Sequence, residues 1–173
     1  TDIYIPNLPE MVGYFSSTEN LVQMSISAAI IGSAFSTPVI GALSDTHGRR
    51  PIVFISLFVF ALTTLGGGFS STITELLIWR FVQGASGVAV IIMCGAIIAD
   101  ISKGRETGIR FALLTTTITT SLVLAPLAGG YLGALYDWRL CFWVLCVFGF
   151  AGALATFLFL PETHKERHPF SLS

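Results

Sequence analysis

Charged residues are scarce in this chain. Only 11% of its 173 residues are Asp, Glu, Lys or Arg, whereas 53% are hydrophobic. A soluble domain carries about 25% charged residues, so this composition excludes an ordinary soluble domain and favours the lipid bilayer as its surroundings. The net charge of −1 gives no sign of the basic surface that binds nucleic acid.

Cysteine and histidine are also sparse. The chain has 3 cysteines, Cys94, Cys141 and Cys146, and all of them lie in apolar stretches. Such positions favour reduced packing residues over a disulfide framework. The 3 histidines fall in polar segments without the spacing of metal ligands. We therefore predict no metal site, and no nucleophile–base pair points to an enzyme.

Long runs without any charged residue dominate the rest of the sequence. A helix needs about 20 apolar residues to cross the hydrocarbon core of a membrane. Each run is about that long, so we predict an all-α integral membrane protein rather than a large soluble helical protein. The uncharged runs are 20–44, 51–74, 81–99, 111–136 and 140–161. The membrane helices are expected at about 20–43, 52–70, 74–99, 109–132 and 140–160.

The two ends of the sequence lie outside these runs. Residues 1–5 are expected to be the last turn of a truncated helix 1, which Pro6 and Pro9 would stop. The five predicted spans are then helices 2 to 6 of a membrane domain at 1–161. The segment 162–173 is expected to be a polar cytoplasmic tail or the start of a central linker.

Basic residues concentrate on one side of the predicted bundle. If the helices alternate in direction, the loops 2–3 and 4–5 and the tail all lie on that side, and the opposite side keeps only Arg139. The positive-inside rule then makes these segments cytoplasmic, in a multi-pass protein of the plasma membrane or bacterial inner membrane. The basic residues concerned are Arg49, Arg50, Lys103, Arg105, Arg110, Lys165 and Arg167.

A short sequence repeat occurs at the ends of two of the predicted helices. The sequence GALSD at 41–45 closes helix 2, and GALYD at 133–137 closes helix 5. Arg49 follows the first copy and Arg139 follows the second. Because helices 2 and 5 cross in opposite directions, this relation favours 3+3 inverted repeats, which are common in secondary transporters.

Several motifs resemble those of the major facilitator superfamily. GALSDTHGRR (41–50) is similar to its loop 2–3 signature, RFVQGASG (80–87) to its helix 4 motif, and APLAGG (125–130) to its antiporter motif in helix 5. DIYIPNLP (2–9) and LPET (160–163) resemble the ends of helices 1 and 6 in the drug-efflux branch. The order of the motifs resembles the N-terminal six-helix half of a Bcr/CflA-like drug:proton antiporter. This implies that a C-terminal six-helix half completes the transporter.

The loop 2–3 motif contains Gly41, Asp45, Gly48, Arg49 and Arg50. The resemblance implies that these residues form a cytoplasmic latch that stabilises one state of the transporter. Gly41 is expected to allow close approach of a neighbouring helix, and Gly48 to permit a tight reversal. The alternative is that the basic residues only fix the topology.

Arg80 lies inside helix 4, where an arginine normally faces a cavity or a carboxylate. Gln83, Gly84 and Gly87 fall on the same helical face. We expect this face to line the proton or substrate pathway, with Asp2 as the partner of Arg80, so that pairing and separation couple protonation to a conformational change. The alternatives are a snorkelling Arg80 and a solvated Asp2 at a helix end.

The helix 5 motif contains Ala125, Pro126, Gly129 and Gly130. Pro126 is expected to kink the helix, and Gly129 forms a close-packing face with Gly133. The resemblance implies that this motif seals against proton leak, as in antiporters. The alternative is ordinary helix packing.

The function implied is half of a secondary active transporter, most simply proton-coupled efflux of drugs or other small hydrophobic compounds by alternating access. Its energy source would be the proton gradient, without a cofactor. Two alternatives stay open at this point. One is an uptake symporter or facilitator of small metabolites, and the other is a non-transporting membrane sensor or orphan half.

Overall fold

A computed structural model describes residues 2–161, with the backbone alone at Asp2, as a bundle of helices. Helices α2 to α6, 5 in number, are long and apolar enough to cross a membrane. The predicted tail or linker at 162–173 lies outside the described residues. The elements in chain order are a 3-10 segment (Asp2–Asn7), α1 (Leu8–Tyr14), α2 (Glu19–His47), α3 (Arg49–Phe69), α4 (Ile73–Ile101), α5 (Arg105–Leu135) and α6 (Arg139–Phe159).

Helices α2, α4 and α5 extend beyond the uncharged runs that indicated them. The helix α2 continues to His47, and α5 already begins at Arg105. Hydropathy marks the part of a helix that lies in hydrocarbon, whereas the backbone can stay helical through the charged turns that follow. Glycines with positive φ set the actual ends, Gly48 at 96° between α2 and α3 and Gly104 at 59° before α5.

The two prolines near the start do not end the helical structure, contrary to the sequence-based expectation. Pro6 lies within the 3-10 segment, and Pro9 lies in the first turn of α1. A proline is tolerated in the first turn because its missing N–H would have no partner inside the helix. The chain therefore stays helical as far as Tyr14.

The most extensive helix contact joins α2 to α4. A side chain on Gly32 would overlap the Phe81 carbonyl, and one on Gly84 would overlap the Ala29 backbone. The Ser33 hydroxyl donates across this contact to the Gly84 carbonyl at 3.0 Å. Small residues thus bring the two backbones together, as is usual in membranes.

The helix α3 packs against both α4 and α6, whereas α5 has few contacts with α4 or α6 and rests mainly on the 3-10 segment. Gly129 is the single buried residue of α5. A side chain there would overlap the Ile3 carbonyl. The 3-10 segment therefore connects α5 to the other helices.

Candidate functional site

A cleft of about 700 Å³ opens between the 3-10 segment and helices α2 to α5. Its walls are mostly apolar and include Ile30, Phe60 and Ile91. The polar side chains that line it are Ser33, Arg80, Thr117 and Ser121. An apolar cleft with a few polar groups is the usual form of a small-molecule site.

Arg80 is the charged residue of this cleft, and it is only 1% exposed. Its Nη1 donates to Oε1 of Gln83 at 2.6 Å, one turn further along α4. The Nε2 of Gln83 donates in turn to Oγ1 of Thr64 on α3 at 2.6 Å. This series of hydrogen bonds fixes the Gln83 amide and holds the guanidinium away from lipid.

An aromatic ring covers the same guanidinium. The Cζ atom of Arg80 lies 4.5 Å from the ring centroid of Tyr4, which belongs to the 3-10 segment. The Tyr4 hydroxyl forms a hydrogen bond of 2.8 Å with Ser25 on α2. A desolvated cation over an aromatic ring is stabilised by about 2 kcal/mol. This enclosed position differs from that of an arginine that snorkels to the interface.

The predicted partner of Arg80 is Asp2, whose side chain lies outside the described residues. The pair therefore stays a prediction. Sequence patterns did not indicate the roles of Tyr4, Ser25 or Thr64. A hydroxyl within the apolar α3 was the available signal for Thr64, because a buried arginine needs polar neighbours from other helices.

The other predicted members of the Arg80 face are glycines. Gly84 and Gly87 both line the cleft. Gly84 also forms the close contact with α2, so the structure places it in helix packing as well as beside the cleft.

Arg49 is the centre of a second polar cluster, at the end of the bundle where α2 and α4 finish. Its Nη1 contacts Oδ1 of Asp45 at 2.8 Å, and its Nε contacts Oδ2 of Asp100 at 3.2 Å. It also donates to the hydroxyl of Ser44. The contact with Asp100 was not predicted, because 51 residues separate the two side chains in the sequence.

Arg50 extends this cluster to α6, where its Nη2 donates to the Phe157 carbonyl at 2.7 Å. Gly41 behaves differently from the expectation. A side chain there would meet nothing within 4 Å, so the expected close approach is wrong for the residues described here. Gly41 follows Gly32 by 9 positions. At 3.6 residues per turn it faces away from the contact with α4.

The helix 5 motif packs against the 3-10 segment. Ala125 lines the cleft and also packs against the buried hydrophobic core. Pro126 lies within the continuous helix α5. A side chain on Gly130 would lie 3.6 Å from Pro6, so the motif and the 3-10 segment fit closely together.

Comparisons with known proteins match this architecture over nearly its whole length. The profile described as Major Facilitator Superfamily matches residues 1–172. The chain is 35% identical to YdgK, an uncharacterised MFS-type transporter of Bacillus subtilis (strain 168), over 99% of the chain and 44% of the relative. It is 29% identical to the multidrug resistance protein MdtM of Escherichia coli (strain K12), over 99% of the chain and 42% of the relative.

Two further comparisons agree. The bicyclomycin resistance protein homolog of Haemophilus influenzae is 28% identical over 99% of the chain and 43% of the relative. The crystal structure of the human organic anion transporter MFSD10 (TETRAN) superposes with a TM-score of 0.66 at 25% identity. That match covers 96% of this chain and 40% of the human one. The chain thus spans less than half the length of these relatives.

Proposed function

Because the chain belongs to the Major Facilitator Superfamily, we propose that it is one half of a secondary active transporter that exports small, largely apolar compounds in exchange for protons. Membership of a transporter superfamily agrees with the expectation that the chain is not an enzyme. Its apolar helices make it a multi-pass membrane protein. We further propose that the membrane is a bacterial inner membrane, with the Arg49 cluster on the cytoplasmic side.

The observation that carries this proposal is the buried Arg80 in the wall of an apolar cleft. An ionised side chain at membrane depth is costly, and in transporters such residues mark substrate or proton pathways. Apolar walls bind many hydrophobic compounds without strict selection, since the hydrophobic effect is not directional. The printed names of the bicyclomycin and multidrug resistance relatives support the same substrate class.

Proton coupling would depend on a carboxylate near Arg80, and Asp2 is our candidate. An ionised Asp2 would pair with the guanidinium, and a protonated Asp2 would release it. Alternation between these two situations links proton binding to a movement of the 3-10 segment, whose Tyr4 ring covers Arg80. The proton gradient would supply the energy, and no cofactor is required.

A second six-helix unit would complete the cleft. In transporters of this architecture the substrate binds between two repeat units near the middle of the membrane. Since the chain spans only 42–44% of its bacterial relatives, we expect it not to transport unless a second half or a second copy is present. In that assembly the Arg49 cluster would act as a latch on one conformational state.

A second candidate function is facilitated passage of organic anions. One observation favours it, namely that Arg80 is the only charged side chain among the described residues of the cleft wall, and it is cationic. The printed title of the human structure names an organic anion transporter. The experiment that tests the function should therefore include both cationic and anionic substrates.

The experiment uses the full-length transporter in inverted membrane vesicles with an imposed pH gradient. Flux of a lipophilic cationic dye, a lipophilic carboxylate and protons is followed together. We expect dye and protons to move in opposite directions, and Arg80→Ala to reduce coupled flux by about tenfold or more. Arg110→Ala is the matched control, because Arg110 is an exposed arginine of α5.

The other outcomes are equally informative. Dye flux that does not depend on the pH gradient contradicts proton coupling and indicates a facilitator. Transport of the carboxylate alone supports the anion candidate. Wild-type coupling in Arg80→Ala would remove Arg80 from the pathway.

A further inference from the structure

Asn7 occupies a helix N-cap without capping the helix. It precedes α1, where asparagine is a favoured residue because its side chain usually accepts a hydrogen bond from a backbone N–H of the first turn. Asn7 makes no such bond. One reason is local, since Pro9 lies in that turn and has no N–H to donate. The Asn7 side chain is therefore available for contacts with other helices.

Those contacts join three elements. The Nδ2 of Asn7 donates to the Gly129 carbonyl of α5 at 3.1 Å and approaches the Cys141 sulfur of α6 at 3.3 Å. Asn7 is 7% exposed and Cys141 is fully buried. The same buried amide thus connects the 3-10 segment to both α5 and α6.

The surface of α5 is shaped to receive this amide. A side chain on Gly133 would overlap the Asn7 side chain. One turn earlier, Gly129 is the single buried residue of α5 and lies against Ile3. Because α5 contacts α4 and α6 only sparsely and rests mainly on the 3-10 segment, the fit around Asn7 is part of its principal attachment to the bundle.

The same helix forms one wall of the cleft. Thr117, Ser121 and Ala125 line it, and Gly129 continues this series at intervals of four residues along α5. Positions four apart are neighbours on a helix surface. A displacement of Gly129 therefore moves the cleft wall with it.

We propose that Asn7 is a positioning residue that sets the place of α5 and thereby the width of the substrate cleft. The inference rests on the proposed transport function, but its structural part can be tested separately. Asn7 touches neither the cleft nor Arg80 in any described contact, so it acts on substrate through α5. A change at Asn7 should alter which substrates fit while leaving the Arg80 site in place.

The transport experiment uses the full-length protein with Asn7→Ala, Asn7→Leu and the control Asn20→Ala. Asn20 is the other asparagine of the chain and is exposed in the first turn of α2. Loss of a buried hydrogen bond predicts about a fivefold change in KM for bulky substrates. We expect a smaller change for compact substrates and a Vmax within about twofold of wild type, since the change acts on binding. Asn7→Leu keeps a similar shape but has no polar hydrogen to donate, so it should reproduce the defect.

A second readout does not require transport. In protein with Cys94→Ala and Cys146→Ala, Cys141 is the remaining described cysteine, and its reaction with a maleimide reports opening of the contact. We expect Asn7→Ala and Gly133→Ala to accelerate labelling by about fivefold, the equivalent of one lost hydrogen bond in the opening equilibrium. Labelling that accelerates in a protein without any transport would support the Asn7 contact while contradicting the proposed function.

Unchanged KM ratios between bulky and compact substrates would overturn the proposal, whatever the thermal stability of the variants. Wild-type behaviour of Asn7→Leu would also overturn it, because the donated hydrogen bonds would then be dispensable. If Asn7→Ala does not accumulate, Gly133→Ala displaces the same contact from the α5 side. A wild-type KM ratio in that variant would again contradict a positioning role.

Discussion

Arg49 and Arg139 lie at opposite ends of the bundle, and each follows nearly the same sequence. At one end GALSD leads to Arg49, and at the other GALYD leads to Arg139. Each arginine pairs with the aspartate of its own copy, Asp45 at 2.8 Å and Asp137 at 3.3 Å. Each also reaches the final turn of another helix, where the partial negative charge of the helix end favours a cation.

The surroundings of the two arginines differ. Arg49 reaches a second carboxylate, that of Asp100. Arg139 instead donates to the Gly68 carbonyl at 3.2 Å and lies over the rings of Tyr14 and Trp138, at 4.2 and 4.5 Å. One cluster is therefore mainly ionic and the other mainly aromatic, although the local sequences match.

The glycines at the start of the two copies differ in the same way. Gly133 is closed off by the Asn7 side chain, whereas Gly41 meets nothing in the described part of the chain. A repeated sequence thus reproduces the helix end but not its neighbours. The 3-10 segment covers α5, and no described segment covers the corresponding part of α2.

The largest effect on stability is expected from substitutions at these two glycines. Gly133→Ala should lower the free energy of unfolding by about 1–3 kcal/mol, because the added methyl group overlaps a buried, hydrogen-bonded side chain. Gly41→Ala should raise it by up to about 1 kcal/mol, since alanine is the better helix former and the site is open. Thermal unfolding of both variants in detergent checks the pair, and equal destabilisation would show that Gly41 is also enclosed.

A smaller loss of stability is expected from replacing Arg49 or Arg139, and its dependence on salt should distinguish the two residues. Arg49→Ala and Arg139→Ala should each destabilise the protein by about 1–2 kcal/mol. The loss at Arg49 should shrink between about 0.05 and 0.5 M NaCl, because salt screens its ion pairs. The loss at Arg139 should change less, since ring contacts and a backbone hydrogen bond replace the second carboxylate. Parallel salt curves in unfolding experiments would mean that the two clusters do not differ in kind.

The smallest effect is expected at Arg110, which pairs with Glu106 at 2.6 Å on the surface of α5. The side chains are 39% and 58% exposed. An exposed i,i+4 ion pair stabilises a helix by about 0.3–0.5 kcal/mol. Arg110→Ala should therefore change stability by no more than about 0.5 kcal/mol in the same unfolding assay. A loss comparable to that of Arg49→Ala would indicate that Arg110 has a partner beyond Glu106.

The sequence was sufficient to locate the apolar helices of the described residues in their order along the chain. Five uncharged runs predicted five spans, and in the described part of the chain helices α2 to α6 are long and apolar enough to cross a membrane. The resemblance to the major facilitator superfamily is confirmed by the profile match over residues 1–172. Helix ends were less predictable, as α2 shows by continuing through Asp45 to His47. Local glycine conformation determined those ends, and hydropathy does not report it.

The surroundings of the predicted site residues could not be derived from the sequence. Arg80 was recognisable because a charge well inside an apolar helix is conspicuous. Its neighbours Tyr4 and Thr64 lie on other elements, so no spacing along α4 could indicate them. The contact of Arg49 with Asp100 also joins two different helices, so spacing within one helix could not indicate it either.

The sequence by itself determined that this chain lies in a membrane, which of its described helices are apolar enough to cross it, and where its unusual charges stand. Transfer of apolar side chains out of water decides these properties residue by residue. The tertiary structure alone decided that Tyr4 covers Arg80. It also decided that the Asn7 side chain donates a hydrogen bond to α5 instead of capping α1. Inside a membrane, apolar surface does not distinguish one helix partner from another. Small-residue fits and single hydrogen bonds make that choice, and they join residues far apart in the chain.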